Sequence, residues 1–245
     1  MPTPARPPRP PRTAATPVEA VGSAPDPLPT QDAAPARRPR GRPRKTAQTQ
    51  DDSQQRRKLM DKAAKLFLSQ GYAATSTRDI AAAVGMHSGS PYYYFKSKSA
   101  LLHAVMAEGM ALALASQQAT LDALGGDASA SAQLRVLVRH HFEILLGPRS
   151  GFIPVMLYEW RSLTPAQRKD VARIKDAYEA AWMPTLQALA AQGLLRAAPA
   201  VARLFIFGAL NWAVSWFAPR KGLSLDALTE QALLLFIDPM PSTAP

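Results

Sequence analysis

A chain of 245 residues with 47% hydrophobic side chains is long enough for one large packed domain or two small ones. Its 29 Lys and Arg outnumber 18 Asp and Glu, and the formal charge of +11 suits a polyanionic partner, nucleic acid or an anionic membrane surface. The absence of cysteine excludes disulfides, thiolate metal sites and cysteine nucleophiles.

Charge and proline are concentrated at the start. Residues 1–58 hold twelve Lys and Arg against five Asp and Glu, a net of +7, and residues 1–50 hold thirteen of the 23 prolines with almost no large apolar side chains. Such a segment buries too little surface to offset the entropy of ordering, so residues 1–50 are expected to be a disordered basic tail. Within it, residues 37–45 read RRPRGRPRK, and Arg40, Arg42 and Arg44 around Gly41 resemble an AT-hook. A narrow extended backbone there can place arginines in an A·T-rich minor groove. A basic arm touching phosphates without selection remains an equal reading. No apolar stretch resembles a signal peptide, and cytoplasm is the expected location.

From residue 54 to 70, Leu59, Ala63, Leu66 and Phe67 fall on one face of a helix that Gly71 closes. Ser76 and Asp79 then have the spacing of a capping box, so a second helix begins there, with Ile80, Ala81 and Val84 inward and Gly85 ending it. A third short segment carries Ser88, Gly89, Ser90, Tyr92 and Tyr93, hydroxyls suited to phosphates and base edges. Together these form a helix-turn-helix within residues 51–98.

The segment resembles the DNA-binding domain of the tetracycline-repressor (TetR) family of bacterial regulators. The likeness rests on Ala63-Ala64, Leu66-Phe67, Gly71-Tyr72, Thr75, Asp79-Ile80-Ala81, Gly85, Ser88-Gly89-Ser90, Tyr92-Tyr93, Phe95, Lys98 and Leu101. His87 stands where the family usually caps its recognition helix with Ser or Thr, and Pro91 where it often has Leu. Proline lacks an N–H but loses nothing within the first three helical positions. The expectation is that Ser88 caps the helix with Pro91 at its third position; a distorted first turn is the alternative. Tyr92, Tyr93, Lys96 and Lys98 are assigned to phosphates, and Thr77, Arg78, His87, Ser88 and Ser90 to orienting contacts or base readout.

Residues 99–238 continue as helix and form the expected C-terminal domain, with 239–245 a tail. A fourth helix runs from Ser97 to about Ala119, followed by helices over 133–146 and 152–162. Thr164 and Gln167 form a second capping box around Pro165, opening a long helix to about Gln192. Residues 199–217 and 225–237 complete an all-α chain. Residues 201–219 are apolar nearly all round, yet they contain Asn211 and Ser215 and begin beside Arg196 and Arg203, which argues against a membrane span. A helix apolar on both sides packs on its own core and on a second copy. In TetR-like proteins the last two helices form such a dimer, which implies a pseudo-palindromic operator.

No active site emerges. The four histidines, His87, His103, His140 and His141, have no metal-ligand spacing beyond an adjacent pair, whose side chains point apart on a helix, and no glycine loop fits a phosphate. The expectation is therefore no enzyme, no metal and no cofactor. A small-molecule pocket in the helical core is more plausible, with Met106, Met110, Phe142, Met156, Trp160, Arg161, Phe207, Asn211, Trp212 and Trp216 as candidate lining; each is individually an ordinary core candidate as well. Residues 159–165, EWRSLTP, and 208–212, GALNW, with Trp216, Pro219, Gly222, Leu223 and Ser224, resemble the TetR branch controlling degradation of fatty acids, sterol rings or aromatic acids. That likeness implies a repressor released by an apolar or acyl-coenzyme A effector, with Arg149, Arg161, Arg168, Lys169 and Arg173 available for its phosphates. An architectural DNA binder without a ligand and a helical lipid-binding protein are the alternatives.

Overall fold

A computed structural model of the chain describes residues 45–87, 89–147, 151–218 and 222–238, with side chains from residue 50. Arg40, Arg42, Arg44, Ser88 and Arg149 lie outside the described residues. Among those described, ten α-helices and two 3-10 turns form without any strand.

Helix α1, Lys45–Gln70, starts inside the stretch expected to be tail. After Pro43 no helix-breaking proline or glycine occurs until Gly71, so polar residues extend the helix at little cost. Its Leu59, Ala63 and Phe67 pack on Ile80 and Ala81 of α2, Thr77–Ala83, and on Phe95 beyond α3, Pro91–Tyr94. Gly85 ends α2 with φ +70°, a backbone conformation that only glycine adopts without strain.

Helix α4, Lys98–Leu124, is the spine: it contacts α1, α5 (Ala130–Leu146), α6 (Phe152–Glu159) and α7 (Pro165–Ala180). It is long and apolar enough to cross a membrane by length and composition, but Leu101, Leu102, Val105, Met106 and Met110 are buried against these neighbours. At Gly109 the Phe152 ring of α6 comes so near that an added Cβ would lie 2.3 Å from Phe152 Cγ. Any side chain there would push α6 off the spine.

The long helix expected from 164 to 192 is two helices, α7 and α8, Met183–Ala191. Pro184 explains the break: it has no N–H to continue the ladder, and its ring opposes the carbonyl four residues back, whereas near a new N-terminus it costs nothing. Helices α9, Pro199–Trp212, and α10, Leu225–Phe236, close the bundle against α8 and α5. Between them Ala213–Ser215 form a 3-10 turn.

Candidate nucleic-acid interface and ligand core

The capping box at α2 is complete. Asp79 N donates to Ser76 Oγ at 3.1 Å, Ser76 N donates to Asp79 Oδ2 at 2.8 Å, and the Ser76 hydroxyl donates to the same oxygen at 2.7 Å. These hydrogen bonds hold the Asp79 carboxyl below its usual range. The turn after Gly85 leads to α3, only four residues long, with Tyr93 75% exposed and Tyr92 also exposed. Tyr92 OH lies 3.3 Å from Thr77 Oγ1, tying α3 to the start of α2. Arg78, His87 and Lys96 are exposed on the same domain, and Thr77 and Ser90 half-exposed.

Two sequence assignments change here. Pro91 occupies the first position of α3, preceded by Ser90 without a side-chain cap, rather than the third. Ser90 N donates to His87 O and Tyr92 N to Gly89 O, and the helix proper begins at the proline, whose missing N–H is harmless there. Lys98 is also committed elsewhere. Its ammonium donates to the carbonyls of Tyr72 and Thr75, each at 2.8 Å, and of Ala73 at 3.4 Å, and sits 4.3 Å from the Tyr72 ring centroid, so its three donors are engaged within the chain.

The loop between α1 and α2 is thus held by Lys98 on one side. Glu159 at the end of α6 holds the other, its Oε1 accepting from Tyr72 N at 2.8 Å and its Oε2 from the Ser162 hydroxyl. Arg56 of α1 pairs with Glu108 of α4, and His103 of α4 with Asp170 of α7 at 2.9 Å. The helix-turn-helix is therefore bolted to the spine and to α6 by charged groups.

Inside the bundle the structure assembles a buried polar chain that the sequence pattern missed. Trp182 Nε1 donates to Gln117 Oε1 at 2.7 Å, and Gln117 Nε2 donates to the Tyr178 carbonyl at 3.1 Å. His141 places Nδ1 3.2 Å from Tyr178 OH and Nε2 3.2 Å from Asn211 Oδ1. Because the Asn211 carbonyl oxygen only accepts, Nε2 carries the proton and Tyr178 donates to Nδ1. Burial pushes His141 down to about 4 and raises the Tyr178 phenol. The Phe207 ring packs 4.7 Å from Trp182 and 5.3 Å from His141. Four helices, α4, α5, α7 and α9, and the turn before α8 meet at this point.

Of the candidate lining residues, Met106, Met110, Phe142, Met156 and Phe207 are buried, and Asn211 joins the polar chain. Trp160 is half-buried and Arg161 exposed. Trp212 and Trp216 do not face the core: they are 69% and 52% exposed, on the outer side of the α9 segment with Val201, Leu204 and Phe205. The reason is rotational, since α9 turns Ala202, Ile206, Phe207 and Leu210 inward and has only one inner face to fill. Leu234 and Leu235 of α10 add to the exposed apolar surface.

Comparison with known proteins agrees with this architecture. Residues 59–105 match the family described as bacterial regulatory proteins, tetR family, and residues 127–240 match the tetracyclin repressor-like C-terminal domain. The HTH-type transcriptional repressor KstR2 of Rhodococcus jostii (strain RHA1) is 29% identical over 197 residues, 79% of this chain and 95% of the relative. Among solved structures, AibR in complex with isovaleryl coenzyme A and operator DNA aligns with a TM-score of 0.67 and 26% identity, over 76% of this chain and all of that one. Superantigen PfiT aligns with a TM-score of 0.63 and 35% identity, over 75% of this chain and 96% of that one.

Proposed function

Since the chain belongs to the TetR family of bacterial transcription regulators, we propose that it is a repressor that binds a pseudo-palindromic operator as a homodimer and leaves it on taking up an apolar or acyl-coenzyme A effector. The observation that carries this reading is the capped α2, turn and short α3 that present Tyr92 and Tyr93 to solvent on a rigid three-helix base. Tyr92, Tyr93 and Lys96 contact phosphates, while Thr77, Arg78, His87, Ser88 and Ser90 orient the helix or reach base edges. Arg40, Arg42 and Arg44 precede α1 and supply a basic arm to the same duplex.

The apolar face of α9 and α10 is the dimer surface. Phe205 at 73% and Leu235 at 81% exposure are costly in water and suit a second copy of the same face. The effector enters between α4, α5, α7 and α9, where an acyl chain meets Met106, Met110, Phe142 and Phe207 and a polar group meets His141 and Asn211. Isovaleryl coenzyme A in the AibR complex supports a thioester as the effector class, and the KstR2 relative supports the catabolic branch. Release requires that the effector bind the DNA-incompetent arrangement more tightly than the competent one. The clamps of Lys98 and Glu159 on the α1–α2 loop give that rearrangement a route to α2 and α3.

Fluorescence anisotropy tests the reading directly. Labelled DNA from the gene's own upstream region is titrated with protein at fixed salt, then challenged with a panel of acyl-coenzyme A thioesters. Saturable binding reversed by a thioester supports both parts; binding that persists against the whole panel discards the effector class and leaves the DNA role. Absence of specific binding discards the repressor.

A further inference from the structure

Helix α3 is four residues long, too short to hold itself by its own hydrogen bonds, so its position is set by what it touches near each end. Near its start, Tyr92 OH meets Thr77 Oγ1 at 3.3 Å. At its end, Phe95 N donates to Pro91 O at 2.9 Å and the Phe95 ring is buried. The Arg56 guanidinium of α1 lies over that ring, 4.8 Å from its centroid.

Arg56 is gripped from α4 as well. Both of its terminal nitrogens donate to Glu108, Nη1 to Oε2 at 2.6 Å and Nη2 to Oε1, and Nη1 stands 3.5 Å from Met60 Sδ. A two-pronged bond between planar groups fixes angle as well as distance, which a lysine ammonium does not. Glu108 belongs to the turn of α4 that also carries Met106 and Met110, both buried. One side chain of α1 thus connects the end of α3 to the part of the spine that packs the bundle core.

A cation in a DNA-reading domain ordinarily serves a phosphate. Here the fork is filled by Glu108 and the flat face by Phe95. Resting on the operator-binding reading of α3 above, we propose that Arg56 is a positioning residue for sequence-specific DNA binding: held by Glu108, it sets the recognition helix through Phe95 and makes no contact with the duplex. The two roles differ in sign. If Glu108 acted only through its charge, removing it would strengthen DNA binding, since a carboxylate repels phosphates. If it orients Arg56, removing it weakens specific binding.

Anisotropy across a salt series, with labelled DNA from the gene's own upstream region and with a scrambled duplex of equal length, tests this. Glu108→Gln and Arg56→Gln each weaken specific binding about tenfold, and the double variant loses no more than Arg56→Gln alone, because the same contact is removed. Arg56→Lys keeps the charge and does not restore affinity. The slope of log affinity against log salt is unchanged in every variant, whereas loss of one phosphate contact reduces it by roughly 0.9. Glu108→Gln binds the scrambled duplex at least as well as the unmodified chain does. Where Arg56→Gln fails to fold, Glu108→Gln decides, since the sign of its effect is diagnostic by itself. Tighter specific binding by Glu108→Gln, full rescue by Arg56→Lys, or a reduced salt slope would each overturn the proposal and return Arg56 to the phosphates. Specific binding that the variants leave untouched overturns this inference alone; absence of specific binding by the unmodified chain overturns the repressor reading and this inference with it.

Discussion

The two cores of the molecule are built differently. Around α1–α3, the buried residues Leu59, Ala63, Phe67, Ile80, Ala81 and Phe95 are apolar, and the polar chemistry sits at the ends of helices, in the Ser76 box and the Lys98 clamp. Around α4–α9, an apolar core of the same kind encloses a polar chain: Gln117, His141, Tyr178, Trp182 and Asn211 bond to one another across five segments. An apolar core held by local caps has one good packing and suits a rigid reader of DNA. A shared polar network is satisfied only in certain mutual positions of its helices, so it can be rearranged by a molecule offering the same groups, at a cost of about 1–3 kcal/mol for each group left unpaired.

The largest effect is expected at the proposed dimer face of α9 and α10, which belongs to the second region and would set what the first can do. Replacing Phe205 and Leu235 together by Asp should dissociate the dimer in sedimentation and abolish specific operator binding in anisotropy, while leaving the helix-turn-helix folded. Operator affinity retained by a monomer would show that the reading domain works alone.

The polar core gives the next largest effect. The folded-state value of His141 is depressed to about 4 from 6.5, so the unfolded chain takes up the proton first as pH falls. This contribution to stability is fully present above pH 6.5 and is lost between pH 6.5 and about 4, amounting to about 3 kcal/mol. Urea melts across that range should show the fall, and His141→Phe should flatten it while leaving the Tyr178 hydroxyl and the Asn211 amide unpaired. An unchanged pH slope in the variant would assign the acid sensitivity elsewhere.

The same contrast explains what was legible in the sequence. Ser76 with Asp79 and Thr164 with Gln167 were readable because both partners of a capping box lie three residues apart. The inner face of α1 was readable from its period. His141 was not, because its partners are 37 and 70 residues away and an adjacent histidine pair has no local meaning. Trp212 and Trp216 were placed in the core because a helix apolar all round does not reveal which face turns inward. Pro184 was overlooked as a break because strong helix formers lie on either side of it, Ala180 and Ala181 before and Leu186 to Ala191 after. Lys98 was taken for a phosphate ligand because its carbonyl partners belong to a loop over twenty residues earlier.

At the reading end a smaller effect is expected. Tyr93 is exposed and makes an edge contact with Tyr94 at 4.9 Å but buries little of itself. Tyr93→Ala should weaken operator binding roughly tenfold, about 1.4 kcal/mol, with no change in dimerisation or melting temperature. A loss of dimer would mean that the residue had been assigned to the wrong surface.

The smallest effects separate the two regions most cleanly, because the same motif occurs once in each. Ser76→Ala and Thr164→Ala each remove a side-chain acceptor from a helix N-terminus, and each should cost about 1 kcal/mol of stability. Their functional consequences should differ. Frayed α2 loosens the contact between Thr77 and Tyr92 that seats α3, so Ser76→Ala should weaken operator binding beyond its effect on melting. Thr164 opens α7, whose Gln167 also holds Ser99 at the start of α4, with the Gln167 amide donating to the Ser99 carbonyl at 3.2 Å. That bond survives in Thr164→Ala, so operator affinity should hold while stability falls. Equal losses of affinity from both substitutions would mean that the C-terminal bundle sets the geometry of α3 as strongly as α2 does, and the division into a locally fixed reader and an adjustable core would fail.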